Sequence, residues 1–225
     1  MLRLNNVFKN ISFVVITMTI LSCKKDEAIQ SKTVLVPVIS VNGSKYSVLK
    51  PGSSYQDAGA TLTDAYGNKS TIQASSSNVD LSKVGVYFIN YIYVDEANGF
   101  ANGFEIINER VVAIASPLAN PLDLTGEYLR LGNTMTITKV ANGLHLIENV
   151  GGVSPSSAPD LYEHKAYLLQ TGSTPSSFIM VPVGDAAKII QKFESISINP
   201  GVLKWKIIAA TRYGSGLRTF NIKTE

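Results

Sequence analysis

From Val34 to the C terminus the apolar residues come in short alternating runs, rich in Val, Ile, Thr and Tyr, broken at close spacing by Asn-Gly, Pro-Gly and Ser clusters. A period of two sends successive side chains to opposite faces of an extended chain, and such runs between regular turn signals belong to all-β sandwiches and barrels. Helical periodicity is confined to Asp185 to Phe193, where Asp185 can cap a turn before Ala186, Ala187, Ile189 and Ile190. The same residues can instead enter a strand leading to Ile196 and Ile198. The ladder ending in Arg110 to Ile114 is followed by Pro117 and Pro121. Proline lacks the donor that a central strand requires, so 116–122 reads as a linker between a domain at 34–115 and a second at 123–225.

The N terminus carries an address. Arg3 and Lys9 precede an apolar stretch from Ile11 to Leu21, and Ser22 stands before Cys23, the one cysteine of the chain. A basic region, a short apolar core and a small residue before the cut describe a secretory signal, and a cysteine at the junction describes a lipoprotein signal at 1–22. The apolar stretch falls short of the roughly 20 residues that a spanning helix needs. Cys23 is therefore the expected lipid anchor, with 23–33 as anchor and tether. Lys24, Lys25, Asp26 and Glu27 resemble the lysine-plus-acidic export signal of surface lipoproteins in a Gram-negative phylum rich in polysaccharide-degrading systems. That resemblance implies an outer-membrane location facing outward; the plainer reading is a charged, solvated linker.

Loss of residues through Ser22 removes Arg3 and Lys9, two of the 20 basic residues set against 17 acidic ones, and leaves the remainder close to neutral. Such a chain has no basic stripe to displace phosphate counterions, so no nucleic-acid partner is expected. Acylation of Cys23 leaves no thiol for a disulfide or a thiolate metal site, and no cofactor is implied.

In the first domain, Gly52-Ser53-Ser54-Tyr55-Gln56-Asp57-Ala58-Gly59-Ala60, Thr63-Asp64 with Gly67-Asn68, Asn78-Val79-Asp80, Val84-Gly85-Val86-Tyr87, Asp95 and Asn98-Gly99 follow in order. This series resembles the bacterial surface Ig-like domain of unknown function over roughly Val34 to Ile114, and implies an N-terminal Ig-like β-sandwich. The strand Val86 to Val94 has Tyr87, Ile89, Tyr91 and Tyr93 on one side, and Val86, Phe88, Ile92 and Val94 with Asn90 on the other. The family usually places small hydroxyl residues on the outward side, so Phe88 and Ile92 depart from its pattern and suggest a covered face; the preferred cover is the second domain, the alternatives being a partner protein or modest surface exposure. Asp57, Asp64, Asp80 and Asp95 lack the spacing of a calcium loop and are expected to cap turns, with no metal site.

The second domain opens with Gly126-Glu127-Tyr128-Leu129-Arg130, continues through a hairpin around Asn142-Gly143, and ends with Trp205 to Ala210 and Arg218-Thr219-Phe220. With the Gly151-Gly152 loop these segments resemble the C-terminal β-rich domain of uncharacterised surface lipoproteins. Candidate ligand residues are Trp205, whose ring could stack on a sugar, and Tyr162, His164 and Tyr167, which could line a pocket rim. Against this, Trp205 points opposite to Lys204 and Lys206 on a strand, which fits a core position. His145 points away from Leu144 and Leu146 and reads as facing solvent.

No nucleophile elbow, phosphate-binding glycine loop or His-x-x-x-His pair occurs, and nothing groups Glu127, Glu148, Asp160, Glu163 or Glu194 into a catalytic pair. No catalytic residues are assigned. The functional expectation is a non-enzymatic, lipid-anchored surface protein in which an Ig-like spacer carries a β-rich interaction domain, and the resemblance to surface lipoproteins implies that this domain captures glycans. The alternatives are a structural or adhesive module that binds another protein, such as an outer-membrane protein, and a glycoside hydrolase-type enzyme.

Overall fold

The computed structural model describes residues 36–95, 104–173, 177–199, 201–209, 213–214 and 216–224. Cys23, the Lys24 to Glu27 segment and the Asn98-Gly99 turn lie outside the described residues. Val36–Glu225 form one compact unit. Within it, strands β1 (Val38–Val41), β2 (Tyr46–Leu49), β3 (Ala60–Thr63), β4 (Lys69–Ile72), β5 (Ser76–Ser77), β6 (Gly85–Asp95) and β7 (Phe104–Ile114) make the N-terminal lobe. One sheet has the order β1-β3-β4 and the other β2-β7-β6-β5, with β2 and β7 parallel. The turn at Lys50-Pro51-Gly52 closes through the Ser53 N–H to the Lys50 carbonyl at 3.1 Å.

The C-terminal lobe holds β8 (Gly126–Arg130), β9 (Asn133–Ala141), β10 (Leu144–Glu148), α1 (Pro159–Tyr162), β11 (Lys165–Gln170), β12 (Phe178–Val183), α2 (Asp185–Ile189), β13 (Ile190–Asn199), β14 (Val202–Ala209) and β15 (Leu217–Ile222). Its eight strands run β12-β11-β10-β9-β8-β15-β14-β13, and the end strands β12 and β13 approach each other, so the antiparallel sheet nearly closes into a barrel. Pro182 is accommodated because β12 lies at an end of the strand order, where a missing donor breaks no central ladder. Both readings of Asp185 to Phe193 hold in part: one helical turn ends at Ile189, and the chain straightens into β13. Asn142-Gly143 joins β9 to β10, with Gly143 at φ 73°, and the pairing then skips Val140, a bulge beside the turn.

Three apolar clusters result. Ile39, Leu62, Ile89, Tyr91, Val112 and Ile114 fill the sandwich. Tyr128, Met135, Ile137, Ile147, Leu168, Leu203, Trp205 and Phe220 fill the barrel-like sheet. The third joins the lobes: Val86, Val111 and Ala113 pack with Leu144, Tyr167 and Leu169, with Phe88, Tyr46 and Leu146 at its margin. The expected cover over the outward side of β6 is therefore the C-terminal lobe, but only at Val86 and Phe88. Ile92 and Val94 stay 36% and 48% exposed.

His145 corrects the sequence reading: it is fully buried, not facing solvent. Leu144 and Leu146 do lie opposite to it, but they form the outer face that meets the N-terminal lobe, so the other side of β10, with His145 and Ile147, is the barrel interior. There its Nε2 accepts the Leu124 N–H at 3.4 Å, and burial pushes its pKa down to about 4.

Candidate functional site

The outer face of β7 carries Ile107, Glu109, Val111 and Ala113 in alternation. Val111 and Ala113 are buried under the C-terminal lobe, Glu109 is half-buried at the edge of the cover, and Ile107 is 60% exposed. Where the cover stops, a groove opens between the lobes. Its larger part, about 750 Å³, has Lys45, Ile107, Asn108 and Glu109 on one wall and Asp160, Glu163, His164, Asp185 and Lys188 on the other. A second part of about 370 Å³ adjoins it through Ile107, Glu109, Val183 and Gly184 and extends to Ser76, Asn78, Phe88 and Asn90.

Glu109 marks the junction. Tyr167 donates its hydroxyl to the Glu109 carboxylate at 3.4 Å, across the lobe boundary. Burial holds the Glu109 carboxyl above the usual carboxylate range, opposed by the charge of Lys45. Tyr167 is buried among Tyr46 and Phe88, at ring centroid distances of 6.0 and 6.1 Å, and burial raises its pKa. Along the groove, Lys188 pairs with Asp185 at 2.7 Å and Lys45 donates to the Asn108 side-chain oxygen at 3.3 Å. Both charge signs and an apolar lip thus share one opening.

The four candidate ligand residues do not converge on it. Trp205 is fully buried, stacked on Phe220 at 4.3 Å and 23°, with its Nε1–H given to the Val150 carbonyl at 3.1 Å; no ring face is left for a sugar. Tyr167 is packed between the lobes rather than open at a rim. His164 contributes to the groove wall, but it is buried and its Nδ1 shares a 2.7 Å hydrogen bond with the Tyr213 hydroxyl. Tyr162 is half-buried on α1. Burial drives these outcomes: aromatic rings of this size contribute most by leaving water.

The aspartates divide in the same way. Asp64 accepts the Tyr66 and Asn68 N–H groups, each at 2.8 Å, and Asp80 accepts the Ser82 N–H at 3.0 Å, so both cap turns. Asp57 departs from that expectation and pairs with Arg110 at 2.9 Å. Among the described residues, no group of three His, Cys, Asp or Glu is placed to hold a metal. Of the five carboxylates weighed for catalysis, Glu127, Glu148 and Glu194 pair with Lys223, Lys165 and Lys192, while Asp160 and Glu163 line the groove. The residues that sequence reasoning missed are Lys45, Ile107, Glu109, Asp185 and Lys188, which only the packing of the lobes brings together.

Residues 39–112 match the family model described as bacterial surface protein, Ig-like domain, so the N-terminal lobe is a bacterial surface Ig-like domain. A crystal structure of a lipoprotein from Bacteroides thetaiotaomicron is similar at a TM-score of 0.36 and 19% identity, over 84% of this chain and 100% of that one. No curated protein matches the chain. Among the described residues, no helix is long and apolar enough to cross a membrane.

Proposed function

We propose that this chain is a non-enzymatic surface protein, tethered to the outer membrane by acyl groups on Cys23, whose interlobe groove holds an extended segment of a partner protein. The observation that carries the reading is the graded cover of β6 and β7. The C-terminal lobe shields Val86, Val111 and Ala113 and leaves Ile92, Val94 and their neighbour Ile107 in solvent, with Ile92 and Ile107 directly paired across the two strands. An apolar strip rimmed by charges of both signs suits a polypeptide with apolar side chains at its centre and ionic contacts at its margin. The tether rests on the residues around Cys23 and on the surface Ig-like family of the N-terminal lobe. The absence of a catalytic role is supported by the way Glu127, Glu148, Glu194 and His164 are engaged in structural contacts.

A saccharide is the second reading, favoured by the amide, carboxylate and ammonium groups of the groove, which can bond hydroxyls. One experiment separates the two. A photo-crosslinking residue is placed at Ile107 in the full chain on living cells, with Tyr66, 81% exposed outside the groove, as the control position. The proposal expects a discrete crosslinked envelope protein from position 107 alone, lost on Ile92→Asp. Equal labelling at both positions, or none, would overturn it. Saturable glycan binding abolished by Lys188→Ala would replace it with the saccharide reading.

A further inference from the structure

Two buried arginines hold the two lobes together internally, and they differ in one respect. Arg110, in the sandwich, gives its guanidinium to the carbonyls of Asn42, Ser44 and Gly59 and also meets the Asp57 carboxylate at 2.9 Å. Arg218, 6% exposed inside the C-terminal lobe, is bonded in the same style to the carbonyls of Gly151, at 2.7 Å, and Tyr213, and lies over the Tyr213 ring at 5.1 Å. Among the described residues it has no carboxylate, and its buried Nε–H has no acceptor. A guanidinium removed from water without an anion is costly, because carbonyl dipoles offset only part of its lost hydration.

A second guanidinium stands beside it. Arg130, on β8 next to β15, donates Nη1 to the Gly152 carbonyl at 3.1 Å, so the two arginines hold consecutive carbonyls of one loop. The loop touches them closely: a Cβ on Gly152 would lie 3.0 Å from Arg130 carbons and 2.6 Å from Phe220. Among the described residues, the Arg130 guanidinium makes no other hydrogen bond and no ion pair, and the residue is only half-buried, so its fork can reach solvent. Burial and the neighbouring Arg130 charge push the Arg218 pKa down to about 10.

We propose that Arg130 and Arg218 form an oxyanion site at this end of the barrel-like sheet, in which the half-exposed Arg130 guanidinium takes a carboxylate, sulfate or phosphate group and the buried Arg218 beside it adds its charge. The planar five-donor fork of arginine matches such a group in a bidentate manner, and the anion supplies the counter-charge that Asp57 supplies to Arg110. The site lies apart from the interlobe groove, whose lining contains neither arginine, and does not depend on how that groove is used.

The test is thermal unfolding of the chain from residue 24 onward in sodium sulfate, sodium phosphate or sodium glucuronate, each against sodium chloride of equal ionic strength. At ten times Kd the bound anion raises Tm by about 3–5 °C above the chloride control, and the rise saturates. Comparing the three salts tells a mineral anion from an acidic sugar. Arg130→Gln abolishes the increment, and in the wild-type chain the Arg218 side-chain Nε–H resonance moves along the same titration. No rise above chloride with any of the three, a rise that survives in Arg130→Gln, or an Arg218 resonance that does not move would each overturn the site.

Discussion

Arg110 and Asp57 meet at 2.9 Å beneath the sandwich, and the Tyr91 hydroxyl joins them by donating to Asp57 at 2.6 Å. The arrangement ties β6 and β7 to the Asn42, Ser44 and Gly59 carbonyls. Asp57→Asn leaves the buried Arg110 charge uncompensated and is expected to lower stability by about 3 kcal/mol, whereas Asp57→Leu with Arg110→Met costs less than the sum of the single changes. Urea unfolding of the four chains measures this coupling.

Trp205 provides an internal reporter. As the one tryptophan, enclosed by Phe220 and bonded to Val150, it is expected to emit at short wavelength in the folded chain, to resist quenching by acrylamide, and to shift red on unfolding. Trp205→Ala is expected to cost about 3–5 kcal/mol by opening a core cavity. An emission maximum already red in native buffer would show the ring to be exposed.

Acid weakens this fold through His145. Its folded pKa, about 4, lies below the value of 6.5 for an unperturbed imidazole, so the folded state holds the neutral ring while the unfolded chain takes up a proton. Stability is thus full above pH 6.5 and falls as pH drops toward 4, by up to about 3 kcal/mol from this group. His164, also depressed by burial, acts in the same direction. Urea midpoints between pH 7.5 and 5 are expected to fall, and His145→Gln to flatten the slope.

The junction of the lobes rests on Tyr167. Truncation to Ala removes its contacts with Tyr46 and Phe88 and its hydrogen bond to Glu109, and is expected to cost about 3–4 kcal/mol and to loosen one lobe from the other. Small-angle scattering then reads an increased radius of gyration, together with new protease cleavage between Ala115 and Leu122. Glu109→Gln, which keeps an acceptor for Tyr167 but removes a charge that burial disfavours, is expected to raise Tm at pH 7.

Much of this architecture was legible in period-two alternation. The two apolar sides of Val86 to Val94 announced a covered strand, and the Asn142-Gly143 pair announced a hairpin. The extent of the cover was not legible, because it depends on which residues of the C-terminal lobe reach β6; Phe88 and Ile92 look alike in sequence and differ in burial. His145 was misread for the same reason: alternation separates the two faces of β10 but does not say that both are covered. Arg110 left a signal in its placement between Asn108 and Val112 on the inward side of β7, as Arg218 did beside Phe220. The groove left none, since Lys45, Ile107, Glu109 and Lys188 are joined only by packing.

The central claim is that this two-lobed body works outside the cell on a lipid tether. Intact mass measurement of the protein extracted from native membranes tests it directly. The account predicts a chain that begins at Cys23 and carries a thioether-linked diacylglycerol; a free thiol at that position, or residues through Ser22 still attached, would contradict it.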